Sequence, residues 1–363
     1  MSGTEATLEQ HALFPNVTPC AAAWPMTFAR TAITSGLASF ALRVLGKSGP
    51  CIFMLHRFAT EDQIGGRLRA NDVEVLLEWI RRRKYRTLDV AELIAEVQEG
   101  CDSAGPAIAF TIDDGYHDQA EVGIPLFLRY DCPVTTFLAT GFLDRIQWMW
   151  HDQIEFLLHT AEPQEVEFEL PGAVIRVRLT DRISRSSAAA AIVARCKSDR
   201  SIAGRSVAAA LAETLHVALP VEAPSAYRPM SWDDARGLEA RGARFGAHSV
   251  WHPVFSHTSP EETVREIRES RGRLHDEMAK PSPVFCFPFG MPNDFRREDM
   301  EACRGSGFAS ALAASAGYPT AAALARDPLA RFRIPRFAFE PNSYRNMQIV
   351  NGFERLMHGA QFF

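Results

Sequence analysis

The chain has 363 residues, 47% hydrophobic and 23% charged, with a formal net charge of −5; this is ordinary globular composition, long enough for one large core or two modest ones, and it excludes a disordered chain. Basic residues are scattered apart from RRRK at 81–84, which leaves no electrostatic footprint for nucleic acid and reads as a solvated helix end. Seven cysteines, odd in number, widely spaced and never in C-x-x-C form, argue against a disulfide framework and against a thiolate zinc site.

The opening MSGTEATLEQHALFPN carries acids and no basic region ahead of an apolar core, so no secretory signal is expected and a cytoplasmic location is. No stretch reaches the roughly 18 uninterrupted apolar residues of a membrane span. Residues 1–48 show a weak helical pattern (TAITSGLASFALRVLGK) and are expected to be an N-terminal helical extension. From 49 to about 345 short apolar runs alternate with helical segments: CIFML, NDVEVLLEWIRRRK, TLDVAELIAEVQEG, PAIAFTI, QAEVGIPLFLRY, PVTTFLAT. That rhythm predicts an α/β fold with a largely parallel sheet. It breaks at about 161–228, where EVEFELPGAVIRVRL predicts a hairpin and alanine-rich helices follow, a small inserted α+β subdomain. It resumes with ARFGAHS, a helix over 260–279, PVFCFPFG, FASALAAS and RFRIPRFAF, and residues 346–363 are left as a tail. Ser259, Pro260 and Glu262 predict the start of the helix at 260, and Val264, Ile267, Leu274 and Met278 its apolar face.

Asp113 and Asp114 follow PAIAFTI, at the C-terminal end of an expected strand, where parallel α/β folds gather functional groups. Adjacent residues diverge there, so that one carboxylate serves a metal and the other a substrate; the competing reading is a helix N-cap with acidic neighbours favoured by the helix dipole. In GAHSVWHP, His248 and His252 stand four apart, and both imidazoles reach one ion if the segment makes a single turn. H-x-x-x-H alone is a weak signal. Joined to a strand-end carboxylate it becomes two histidines and one acid with an open position, the ligand set of a hydrolytic metal centre.

FTIDDG, the H-S-x-x-H of His248 to His252, and FCFPFG at 285–290, in that order, resemble the first three motifs of the polysaccharide deacetylases of carbohydrate esterase family 4, the NodB-homology domain. The resemblance implies a distorted (β/α) barrel of about seven strands. It implies Asp113 as catalytic base, Asp114, His248 and His252 as ligands of a divalent metal, expected to be zinc, and the backbone N–H of Phe289 as oxyanion donor, with Pro288 of the same motif beside the substrate. The family's last motif, a strand ending in L-x-H with a general-acid histidine, finds its match ahead of the others, in PCIFMLHRF, which singles out His56. That order resembles the circularly permuted branch of poly-N-acetylglucosamine and exopolysaccharide-cluster deacetylases. His358, in ERLMHG, is a rival for the acid, and a core histidine is the plain alternative for His56.

The chain also departs from the family. Where many members carry an arginine that pairs with the base, Cys286 stands here; Arg336, from RFRIPRF, either supplies that charge from another direction or is structural. Trp148 and Trp150 either stack on sugar faces or pack the insertion, and Asp152 is a candidate substrate contact. Arg57, Tyr116 and His117 flank the motifs, while His159, His257 and His275 lack convergent partners. The resulting expectation is a metal-dependent hydrolase that removes N-acetyl groups from an amino-sugar polysaccharide or its precursor, in exopolysaccharide or cell-envelope glycan biosynthesis. The alternatives are an O-acetyl esterase, a deacetylase of a lipid- or nucleotide-linked sugar, and a non-catalytic carbohydrate-binding protein.

Overall fold

The computed structural model describes residues 49–59, 67–100, 107–170 and 173–354; the expected N-terminal extension and the rival His358 lie outside the described residues. The described chain divides into two compact units, residues 148–222 and a barrel unit formed by the rest. The insertion expected at about 161–228 overlaps the first.

In the barrel unit the strands are β1 (Cys51–Leu55), β2 (Arg86–Thr87), β3 (Ala107–Asp114) and β4 (Val134–Leu138), then β7 (Arg244–Ala247), β8 (Val284–Cys286), β9 (Ser310–Leu312) and β10 (Phe337–Ala338); β5 (Glu165–Leu170) and β6 (Ala173–Arg178) belong to the other unit. Seven strands lie side by side in the order β10, β1, β3, β4, β7, β8, β9, and β2 pairs with the start of β3. Each neighbouring pair is parallel. Parallel strands buried on both faces read as continuous apolar runs, and β1, β3 and β4 are buried along their whole length. The sheet curls until one short stretch touches both of its edges. Ile334 bridges to Leu312 of β9, while Phe337 and Ala338 pair with Phe53 and Met54 of β1. This is the α/β barrel of about seven strands that the motifs implied. The run RFRIPRFAF, expected as a full strand, contributes only two paired residues in β10 because Pro335 has no N–H to give to a ladder.

Helices cover the sheet with the expected periodicity. Ala70–Arg82 buries Val73, Leu76, Leu77 and Ile80, each contributing about 1.5–3 kcal/mol, and its exposed arginines at 81 and 82 leave the end of the run solvated. Pro260–Glu277 starts as predicted: the Ser259 hydroxyl accepts from Glu262 N–H and the Glu262 carboxylate accepts from Ser259 N–H, with Pro260 in the first turn. Its inward face differs from the apolar stripe. Thr263, Glu266 and Ser270 are buried beside Ile267 and Leu274, whereas Val264 is only half-buried. Among the described residues no helix is long and apolar enough to cross a membrane, and the cysteines at 51, 132, 196, 286 and 303 are buried free thiols.

The 148–222 unit consists of a helix (Trp150–Thr160), the antiparallel β5–β6 hairpin and two further helices, Arg182–Ser198 and Gly204–Leu215. Arg185 is buried and donates to the carbonyls of Leu158 and Ala161 at the end of the first helix and of Leu179 after the hairpin. A cation on those orphaned carbonyls satisfies them and complements the helix dipole.

Candidate active site

The strand ladder brings the motif residues to one end of the barrel. β3 is the longest strand and lies between β1 and β4; Asp113 and Asp114 are its last two residues, still in register with Phe137 and Leu138. His56 follows Leu55, which pairs with Ile112. His248 follows Ala247 and donates its backbone N–H to Leu138 O at 2.9 Å. Asp114 and Gly115 then leave the strand with φ of 89° and 99°. At Gly115 the positive φ would strain any side chain, and a Cβ there would also meet Leu143 Cδ1 at 2.7 Å.

Thr111 and Asp113 share a strand face, and both meet Arg336. The guanidinium donates from two nitrogens to the two oxygens of Asp113, each at 2.8 Å, and also to Thr111 Oγ1 at 2.9 Å, Cys286 Sγ at 3.1 Å and Ala313 O at 3.0 Å. Asp113 and Arg336 are both essentially inaccessible. Burial alone would raise the Asp113 pKa, but the fork holds it below the usual carboxylate value. Cys286 occupies the motif position where an arginine was expected, and its small side chain sits beside the guanidinium that arrives instead from the stretch before β10. Burial keeps it a thiol. His56, at 40% side-chain exposure, has Nε2 3.9 Å from Asp113 Oδ2.

A second group adjoins the first and shares His248 with it. Asp114 Oδ1 is 3.4 Å from His248 Nε2 and 3.2 Å from His252 Nε2, and all three residues are buried. His248 Nδ1 lies 2.7 Å from Cys286 O. A carbonyl only accepts, so Nδ1 carries a proton, and Nε2 is the nitrogen that faces Asp114. Burial opposes charge on both residues, yet the imidazoles hold Asp114 well below its ordinary value, while Cys286, Asp114 and Asp113 push His248 well above its own. Two imidazole nitrogens and one carboxylate oxygen therefore converge on a place that favours positive charge. Asp114, His248 and His252 offer one ligand atom each within 4.8 Å of one another, which fits a divalent cation with open positions.

The loop between the histidines is under backbone strain. Ser249 (φ 67°) and His252 (50°), like Asp114, are non-glycine residues in the left-handed region, each costing about 1–3 kcal/mol. Glu266 holds them there: its buried Oε2 accepts from Val250 N–H and Trp251 N–H, both at 2.9 Å, while Ser249 Oγ accepts from His252 N–H at 3.0 Å. This explains the carboxylate on the inward face of the helix at 260–277. Glu266→Met leaves those two N–H groups without their acceptor and is expected to lower stability by about 1–3 kcal/mol, read as a fall in the urea midpoint at unchanged slope. An unchanged midpoint would show that the loop holds itself.

Phe289 sits in a three-residue turn closed by Gly290 N–H to Pro288 O at 2.6 Å, with φ of 59°. This is the rarer, strained sense of the γ-turn. The Phe289 ring packs edge-on against His252, with centroids 4.7 Å apart, and Pro288 is buried beneath.

The structure thus brings together Asp113, Asp114, His56, His248, His252, Arg336, Pro288 and Phe289. Trp150 and Asp152 belong to the 148–222 unit. Within that unit both are buried, Trp150 with its ring against Gly204 and Asp152 with Oδ1 3.8 Å from His151 Nε2; Trp148 there donates to Pro220 O at 3.1 Å. Arg57 stacks over Tyr116 at 3.8 Å and pairs with Asp118 at 2.7 Å. Sequence reasoning missed Glu266, Thr111 and Gln119, whose contacts at the site are mostly with backbone atoms or through Arg336.

The model of the polysaccharide deacetylase family matches residues 204–304, which include both histidines and the motif at 285–290. A search of the curated proteins finds no match. Solved structures that share the fold include the Streptococcus pyogenes deacetylase PplD in complex with acetate, at 14% identity over 83% of this chain and 97% of that one, with a TM-score of 0.54. IcaB from Ammonifex degensii shows 12% identity over 84% and 97%, also at 0.54. A polysaccharide deacetylase from Bacillus cereus shows 9% identity over 82% and 68%, at 0.50.

Proposed function

We propose that this enzyme, whose chain carries a polysaccharide deacetylase domain, is a metal-dependent hydrolase that removes N-acetyl groups from an amino-sugar glycan or its precursor in exopolysaccharide or cell-envelope synthesis. The observation that carries the reading is the pairing of two buried carboxylates with opposite environments: Asp114 among imidazole nitrogens, Asp113 forked on a guanidinium. Adjacent acids tuned apart in this way serve different roles.

Asp114, His248 and His252 would hold the ion, zinc being the divalent metal that this two-histidine, one-carboxylate set suits best. When bound, it supplies Lewis acidity to an acyl carbonyl and lowers the pKa of water. Asp113, kept ionised and fixed in orientation by Arg336, takes the proton of the attacking water. The strained turn presents the Phe289 N–H to the oxygen that gains charge, a contribution of about 3 kcal/mol for a well-placed donor. His56 delivers a proton to the departing nitrogen. An amine is a poor leaving group, so an acid beside the base favours amide over ester hydrolysis. PplD, a fold relative, is described in complex with acetate, the product expected here.

The test is acetate release from N-acetylglucosamine oligomers by the purified protein, before chelation, after it, and after reloading with zinc. Release is expected to vanish on stripping and to return with zinc. Release indifferent to stripping, or absent with one equivalent of zinc bound, would overturn the reading for these substrates.

A further inference from the structure

The ladder between β1 and β3 ends at the pair Leu55 and Ile112. His56 and Asp113 both lie one residue beyond it, so backbone pairing alone does not set their separation. Gln119 lies where that control is missing. Its side chain is fully buried, and each of its polar atoms is engaged. The amide nitrogen donates to His56 O at 2.6 Å and to Asp113 O at 2.5 Å, while Oε1 accepts from Gly115 N–H at 3.1 Å. One side chain therefore ties together the backbones of the acid, the base and the glycine exit. Its neighbour Asp118 acts in the same sense, accepting from Phe58 N–H at 3.1 Å and from Arg57 Nε at 2.7 Å. Gln119 also opens a single π-turn, Gln119–Gly123, ahead of Pro125. Such wide turns occur often at functional sites, and here the turn follows the short excursion that returns the chain to the strand ends.

We propose that Gln119 is a positioning residue, a clip that sets the distance between the His56 acid and the Asp113 base. The inference rests on the roles proposed for those two residues. Gln119 touches no reacting atom; it acts through two carbonyl groups. Removing its amide nitrogen leaves those carbonyls without this donor and frees the segment after β1 to move relative to β3. A displacement of about 1 Å in a catalytic pair costs on the order of 10²-fold in rate.

The experiment compares two substrates whose leaving groups differ. Hydrolysis of N-acetylglucosamine oligomers needs a proton delivered to nitrogen, whereas 4-nitrophenyl acetate releases a phenolate that needs none. In zinc-loaded Gln119→Met, kcat on the oligomers is expected to fall about 10²-fold at little-changed KM, with aryl-ester hydrolysis within about threefold of the parent. Equal losses on both substrates would mark a merely structural residue, and no loss on either would remove it from the mechanism; both overturn the proposal. Gln119→Glu, which keeps the shape and loses the donor, should show the same selective loss and serves if the methionine variant does not fold. A parent protein inactive on both substrates would count against the proposed function. The clip would then be judged from crystals of Gln119→Glu or Gln119→Met, where a His56 Nε2 to Asp113 Oδ2 separation widened beyond the present 3.9 Å supports it and an unchanged one overturns it.

Discussion

Replacing Arg336 with methionine is expected to lower folding stability by about 3–5 kcal/mol, the range for stripping one partner from a buried ion pair. The substitution leaves Asp113 at 2% exposure without its two charge-assisted hydrogen bonds, and it takes a donor from Thr111, Ala313 O and Cys286 as well. The pH dependence has a definite sign. Burial works to raise the Asp113 pKa, and Arg336 outweighs it, so the folded value lies below the ordinary one. A carboxyl depressed in the folded state adds stability above its unfolded pKa of about 3.9 and loses it as the pH falls through the folded value. In the variant burial acts without the guanidinium and the folded pKa rises, which disfavours folding as the pH climbs. The deficit between parent and variant should therefore be small near pH 3 and full near pH 7, in urea midpoints measured at both. The double variant Asp113→Leu with Arg336→Met should recover much of the loss, because an apolar pair leaves no buried charge alone. A single variant within about 0.5 kcal/mol of the parent at neutral pH, the scale of a neutral surface change, would show that the fork does not stabilise the fold.

The same pair shows what the sequence makes legible. Asp113 and Asp114 are visible because they interrupt an apolar run at a strand end, and His248 and His252 because of their spacing. The alternation of runs gives the parallel sheet directly. Arg336 is visible as a charge near a strand, but its direction depends on the sheet curling until residues 334–338 touch both edges, a long-range closure that no local pattern records. Gln119 and Glu266 are harder still. Their partners are mainly backbone groups, which every sequence contains, so nothing in the residue types marks the contacts. Glu266 left one trace: the face of its helix that should have been apolar carries Thr263, Glu266 and Ser270. A polar residue on an inward face needs partners, and those of Glu266 lie in the strained loop between the two histidines. The left-handed φ values at Asp114, Ser249, His252 and Phe289 were equally hidden, since none of these is glycine and local propensity argues against each.

Asp113→Asn should separate binding of the ion from chemistry. Asparagine is nearly isosteric, and its carbonyl oxygen still accepts from Arg336, although its NH2 faces the second nitrogen of the fork and gives up that hydrogen bond. The fold should lose only part of what Arg336→Met costs. Asp114, His248 and His252 are untouched, so the variant should bind one equivalent of zinc with affinity close to that of the parent. What disappears is a group able to take a proton from water: an amide has no basicity near neutral pH, and the loss of a positioned general base typically costs about 10²–10⁴-fold. The fall should appear in kcat, since the group acts on the transition state more than on substrate binding. Asp114→Asn should differ in kind, losing zinc affinity and activity together. Full acetate release by folded, zinc-loaded Asp113→Asn would falsify the division of labour between the two aspartates, and the adjacency of the two carboxylates at the end of β3 would then need a different cause.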